Sequence, residues 1–247
     1  MKNNNQTQTG RIIPKSFFLF LLFTLLLGGC ATVDEAYRDP RDPWEGFNRT
    51  MYNFNDGLDK VILKPLAKGY KAITPVPVDN GITNFFSNIN DVVSAVNNLL
   101  QFKLTRAVSD VSRVLVNTTV GLLGFVDVAS NMNIPKYGED FGQTLGTWGM
   151  GPGPYIVLPL FGPSSGRDGI GLVVDWYTDP LAYLNPDNHR YILRGLRLID
   201  KRADLLGASK VLEQAALDPY EFSRDAFLQK RQHDIYDGNP PLEEEDF

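Results

Sequence analysis

The sequence predicts a mainly α single domain behind an export signal, with one hairpin region rich in glycine and proline. Three observations lead there. Apolar residues recur at helical spacing in several separate segments, whereas only Tyr155–Leu160 has the look of a strand, weakened by Pro159. Between Phe141 and Arg167 that spacing breaks up into closely set glycines and prolines among aromatic and aliphatic residues, the composition of a structured loop or hairpin. The 247-residue chain is 43% hydrophobic, enough to bury a core within one large domain.

Residues 1–29 have the layout of a lipoprotein signal peptide. Lys2, Arg11 and Lys15 precede an apolar run from Phe17 to Leu27, and no acidic residue falls among them. The run is too short for a bilayer span, which takes about 20 apolar residues. It ends in Leu27-Gly28-Gly29-Cys30, and Cys30 is the sole cysteine. This resembles the bacterial lipobox, so Cys30 is the expected lipidation site, carrying S-diacylglycerol and N-palmitoyl groups. No other cofactor is expected. Several acyl chains, at about 0.8 kcal/mol per buried methylene, hold a protein on a membrane essentially permanently. A lone cysteine makes no internal disulfide, which leaves stabilisation to packing or to the membrane. Ala31 in place of aspartate, by resemblance to enterobacterial lipoproteins, directs the chain to the outer membrane.

After a polar linker over residues 30–41, the ordered domain is expected to run from 42 to 236. Asp42-Pro43-Trp44-Glu45 has the form of a capping box with proline at the first helical position. Phe47, Met51, Phe54 and Leu58 follow as one stripe of a first helix, expected to end before Pro65. A second helix carries a broad apolar face, from Ile82 and Phe86 to Val96 and Leu100. Its other face holds Asn84, Asn88, Asn90, Asn97 and Asn98, and Asp91 is its only charge. Amides without charges suit a lipid headgroup zone or a polar-lined passage; a core helix with a polar side has the same pattern. Leu104 to about Val120 forms a third helix, striped by Val108, Val111, Leu115 and Thr119 and stopped by Gly121 and Gly124. Beyond the glycine region come a short helix near 168–176 and a longer one from Asp187 to Leu206. The latter bears a basic row from Arg190 to Arg202. A charge row of this kind is most often a solvated face, though it could meet phosphates or a partner. Residues 209–217 continue helical, and Asp218-Pro219-Tyr220-Glu221 repeats the opening cap before a last helix over 222–233. Residues 237–247, acidic and with Pro240-Pro241, are expected to be a solvated, disordered tail.

Composition removes several functions. A formal charge of −5 argues against nucleic acid, which calls for clustered Lys and Arg. The only histidines are His189 and His233, so a zinc site is not expected, and no other metal site is proposed. Gly149-Met150-Gly151-Pro152-Gly153 lacks the strand-turn-helix setting of a dinucleotide site. Gly162-Pro163-Ser164-Ser165-Gly166 does match the serine-hydrolase elbow, with acids and a histidine downstream. A lipid-anchored phospholipase or esterase using Ser164 is therefore a rival reading. Against it, that fold needs a multi-strand parallel sheet.

Several ordered blocks together resemble the MlaA (VacJ) family of outer-membrane lipoproteins. They are Asp42-Pro43-Trp44-Glu45-Gly46-Phe47-Asn48-Arg49 with Met51-Tyr52-Asn53-Phe54-Asn55; Leu115-Val116-Asn117-Thr118 with Gly124-Phe125-Val126-Asp127; Phe141-Gly142-Gln143-Thr144-Leu145-Gly146; and Asp218-Pro219-Tyr220 with Arg224-Asp225-Ala226-Phe227. The resemblance implies a ring of amphipathic helices lying in the inner leaflet of the outer membrane around a small amphipathic channel. It implies removal of mislocalised phospholipids from the outer leaflet, hand-over to a soluble periplasmic carrier, MlaC, association with trimeric porins, and no catalytic residues. Tyr52, Asn53 and Phe54, together with Phe141, Gly142, Gln143, Thr144 and Leu145, are by the same resemblance the residues that influence the channel's state. A lipoprotein that merely scaffolds porins is the remaining alternative.

Overall fold

The computed structural model describes residues 39–241; the signal segment, Cys30 and the last six residues lie outside that range. Helix α1 (Glu45–Leu58) runs through a π turn (Asp59–Leu63) directly into α2 (Lys64–Ile73). The expected stop before Pro65 is therefore absent. The wider i→i+5 turn shifts the hydrogen-bond register, so proline falls in the first turn of α2, where no amide is needed. Helices α3 (Val76–Leu100) and α4 (Leu104–Thr119) form a hairpin across a three-residue turn, followed by the short α5 (Val128–Asn131).

The glycine region divides in two. Phe141–Thr147, expected as loop or hairpin, is a helix (α6) because Asp140 caps it, accepting from Gln143 N at 2.8 Å. Strands β1 (Tyr155–Leu158) and β2 (Gly162–Ser165) make an antiparallel hairpin, with Tyr155 opposite Ser165 and Leu158 opposite Gly162. Helix α7 (Gly166–Thr178) follows, then a 3-10 turn, α8 (Asp187–Asp204), α9 (Leu206–Ala215) and α10 (Pro219–Ile235). Asp218 caps α10 as the sequence suggests, accepting from Tyr220 N and Glu221 N. Asp42 does not cap α1. It is fully buried, accepting from Asn48 Nδ2 at 2.7 Å and from the Tyr220 hydroxyl.

A two-stranded hairpin is marginal alone. Here α1 supports its edge with side-chain amides. Asn48 gives Nδ2 to Tyr155 O (3.0 Å) and takes Val157 N (2.8 Å); Asn55 does the same with Leu158 O (2.9 Å) and Leu160 N (2.8 Å). The two asparagines, seven residues apart, stand two turns apart on one helix face and imitate a third strand. Around them lies the small apolar centre: Met51, Tyr155, Val157 and Tyr220, with Phe47, Phe227 and Leu228 against it.

Neighbouring elements close a circuit. The helix α1 packs on the hairpin, the hairpin on α10, α10 on α6, α6 on α3, α3 on α8 and α8 on α2, which continues α1. No helix of the described residues is long and apolar enough to cross a membrane.

Candidate functional site

Burial on the α3–α4 hairpin is inverted. The buried positions of α3 include Asn88, Asp91, Ser94, Asn97 and Asn98, and those of α4 are Ala107, Asp110, Arg113 and Asn117. Its aliphatic residues face out: Val96, Leu99, Leu104, Val108, Val111 and Leu115 are exposed, Leu115 by 60%. The stripe read from the sequence, Val108, Val111, Leu115 and Thr119, is the outer surface of α4. Helical spacing locates two faces but not which one meets the protein.

Hydrogen bonds organise most of the polar interior into a network of two clusters, one around Arg113 and one around Asp110, while Asn88 Oδ1 and Asn98 Oδ1 have no hydrogen-bond partner among the described residues. Arg113, 1% exposed, gives Nε to Asp91 Oδ2 at 3.1 Å and Nη2 to both oxygens of Asp127 at 3.0 and 2.9 Å. Its Nη1 reaches Ser130 Oγ (3.1 Å) and Ile134 O (2.9 Å). Lys136 supports Asp91 at 3.2 Å. Burial alone would raise the Asp127 carboxyl, but Ser130, Asn117 and Arg113 together lower it to about 2. Asp110 takes Ser94 Oγ (2.6 Å) and Asn98 Nδ2 (2.9 Å), and burial pushes its carboxyl above the ordinary range. Arg113 and Asp110 were not singled out by the sequence. The available signal is the polar stripe Asp110, Arg113, Asn117 at helical spacing between exposed valines.

The helix α6 joins this network. Thr144, fully buried, gives Oγ1 to Asn97 Oδ1 at 2.8 Å and receives Gln101 Nε2 at 3.1 Å. Gln143 bonds Gly138 O (3.0 Å), and Leu145 is buried. Phe141 is half-buried, edge-on to Trp148 at 6.1 Å, and its amide points at Asp175 (3.1 Å). Gly142 serves contact rather than freedom: a Cβ there would stand 2.6 Å from both Arg231 Nη2 and Asp168 Oδ1. Arg231 of α10 clamps this corner, bonding Asp140 at 2.6 and 2.9 Å and Asp168 at 2.7 Å.

Tyr52, Asn53 and Phe54 lie elsewhere. Tyr52 and Asn53 line a crevice of about 540 Å³ between α1, α9 and the start of α10, while Phe54 is 46% exposed. None of residues 141–145 lines that crevice. The basic row is held by the fold at most positions. Arg202 binds Asp59 at 2.6 Å, Arg197 binds Asp179 at 2.8 Å, and Arg194 lies over the Trp176 ring at 3.9 Å.

Ser164 is not placed as a nucleophile. It sits buried in β2 of an antiparallel hairpin, and its backbone is absent from the strained positive-φ residues. A hydrolase elbow needs a strained turn after a parallel strand. The next residue, Ser165, caps α7 through Asp168 N.

A ring of helices with charges inside and aliphatic side chains outside is built for surroundings that are themselves hydrocarbon. The chain belongs to the family described as MlaA lipoprotein, whose pattern matches residues 40–234. It is 38% identical over 221 residues to the intermembrane phospholipid transport system lipoprotein MlaA of Escherichia coli strain K12, covering 87% of this chain and 85% of that one. The protein of the same description from Haemophilus influenzae is 33% identical over 235 residues, covering 91% and 92%. A solved structure described as the structural basis for maintenance of bacterial outer membrane lipid asymmetry superposes with a TM-score of 0.68 at 35% identity. It covers 82% of this chain and 100% of that one.

Proposed function

We propose that this chain is the outer-membrane lipoprotein of an intermembrane phospholipid transport system. It removes mislocalised phospholipids from the outer leaflet through an amphipathic path. Cys30 anchors it, the aliphatic faces of α3 and α4 lie among acyl chains of the periplasmic leaflet, and the polar interior serves headgroups. The observation that carries this reading is the inverted burial of the α3–α4 hairpin. A headgroup crossing hydrocarbon loses its hydration, and fixed amides and paired charges replace much of it. The lipid is released to a soluble periplasmic carrier of the MlaC kind, and trimeric porins hold the complex in place. The chain itself catalyses nothing.

The test is photocrosslinking in cells from Ile89 and from Leu115, followed by mass spectrometry of the captured species, combined with chemical labelling of surface phospholipid. Phospholipid captured at both positions, and accumulation of outer-leaflet phospholipid when the chain is missing, are the expected results. Cells that keep a phospholipid-free outer leaflet without the chain would overturn the reading.

A further inference from the structure

A second concentration of charge lies away from the Arg113 network, around the crevice that Tyr52 and Asn53 line. Its walls carry Arg49, Lys60 and Arg202 against Asp56, Asp59 and Asp218, and Glu45 and Glu221 also hold Arg49, at 2.6 and 2.9 Å. These charges pair along and across the walls. Arg202 of α8 reaches Asp59 Oδ1 at 2.6 Å and Oδ2 at 2.8 Å, Arg49 of α1 reaches Asp218 at 2.7 Å, and Lys60 reaches Asp56 at 2.7 Å. The Arg202–Asp59 pair is the most sheltered of the three, with side chains 12% and 23% exposed. Asp59 and Lys60 belong to the π turn, which opens the helix at this point. Tyr52 and Tyr220 meet edge to face at 5.7 Å on one wall. Apolar groups adjoin the charged ones: Leu217, fully exposed, directly precedes Asp218, and exposed Ile62 follows Lys60 by two residues.

Resting on the lipid-handling reading above, we propose that this crevice is a headgroup seat selective for zwitterionic phospholipids. A phosphate entering it takes the Arg202 fork from Asp59, since a planar guanidinium bonds phosphate as well as carboxylate. The carboxylate so released is partly buried and costly to leave without a cation. An ammonium carried on the same headgroup re-pairs it, with an aromatic ring nearby to share the charge. A headgroup with a phosphate and only hydroxyl groups makes the first exchange and not the second. The alternating walls therefore discriminate by the completeness of ion-pair exchange rather than by net attraction. Acyl chains leave the seat along the apolar rim.

The experiment uses the full lipidated chain in detergent, with dihexanoyl phosphatidylethanolamine and dihexanoyl phosphatidylglycerol as soluble probes. Affinity is read by calorimetry and location by photocrosslinking from position 53. The ethanolamine lipid should bind about tenfold more tightly, the size of effect that one lost charge-assisted bond produces. Asp59→Asn should abolish or reverse that ratio. The exchange Asp59→Arg with Arg202→Asp keeps both charges and should keep the ratio, which separates pairing from general damage. Equal affinities with capture at position 53, or a ratio unchanged in Asp59→Asn, would overturn the proposal. Capture at Ile89 but not at 53 would overturn the crevice alone. No lipid captured at any position would overturn the lipid-handling reading with it.

Discussion

Removing the guanidinium of Arg113 is the perturbation whose size the structure fixes best. In Arg113→Ala, Asp91 keeps only Lys136 at 3.2 Å, and Asp127 keeps only Ser130 and Asn117 among side chains. Truncating one member of a buried ion pair costs about 3–5 kcal/mol, because the other charge remains without its partner. Arg113→Lys should cost roughly half as much, since one point charge cannot reach Asp91, both oxygens of Asp127 and Ile134 O together. A pH dependence accompanies the loss. The Asp127 carboxyl, lowered from 3.8 to about 2, contributes stability above pH 4 that disappears as pH falls through 2. That contribution is about 2 kcal/mol in the native chain and falls when Arg113 is gone. The deficit of Arg113→Ala should therefore shrink between neutral pH and about pH 3. Guanidinium denaturation of the detergent-solubilised protein, followed by near-UV circular dichroism at both pH values, reads it directly. A deficit below about 1 kcal/mol, or one that does not change with pH, would refute the network's role.

Further outcomes are expected at other positions. The Asp175 carboxyl is pushed up to about 6 by burial and by the charge of Asp140, so its own contribution to stability falls as pH rises from 3.8 to 6. Asp175→Asn should flatten that slope and add about 1–2 kcal/mol at neutral pH, measured by denaturation across the range. Gly142→Ala places a methyl against Arg231 and Asp168 and should cost about 1–3 kcal/mol, visible as a lowered melting temperature. Leu115→Glu should leave stability in detergent nearly unchanged but weaken seating of the helical belt by about 2–3 kcal/mol, read as greater protease sensitivity of the still membrane-anchored chain. Cys30→Ser should leave the chain outside the outer-membrane fraction. Full retention there would mean that the aliphatic belt alone suffices.

Much of the architecture was legible because it depends on local rules. Asp218-Pro219 capped its helix as its residue types require, and the unusual amide face of α3 was visible as a charge-poor stripe. The misreadings share a cause. Asp42 has the form of a cap, but Asn48 and Tyr220 compete for it and draw it into the interior. Pro65 ends an α-helix unless a π turn precedes it, and glycine at 142 signals a loop unless a helix must pass close to Arg231 and Asp168. In each case a distant partner outweighs the local preference. The candidate site is legible in part: Thr144 and Tyr52 stand in the blocks that carry the resemblance, the Asp110, Arg113, Asn117 stripe marks a polar face without saying that it turns inward, and Arg231 has no local mark to separate it from a solvated surface charge.

By itself, then, the amino-acid order determined the helices, most of their ends, the family and the two-faced character of α3 and α4. Periodicity is a property of one segment, and capping needs only a few neighbouring residues. Only the folded chain decided which face of each helix turns inward and which charges find one another. Inside and outside are defined by the whole ring and by the solvent around it, and an amphipathic stripe is equally compatible with either until its partners are in place.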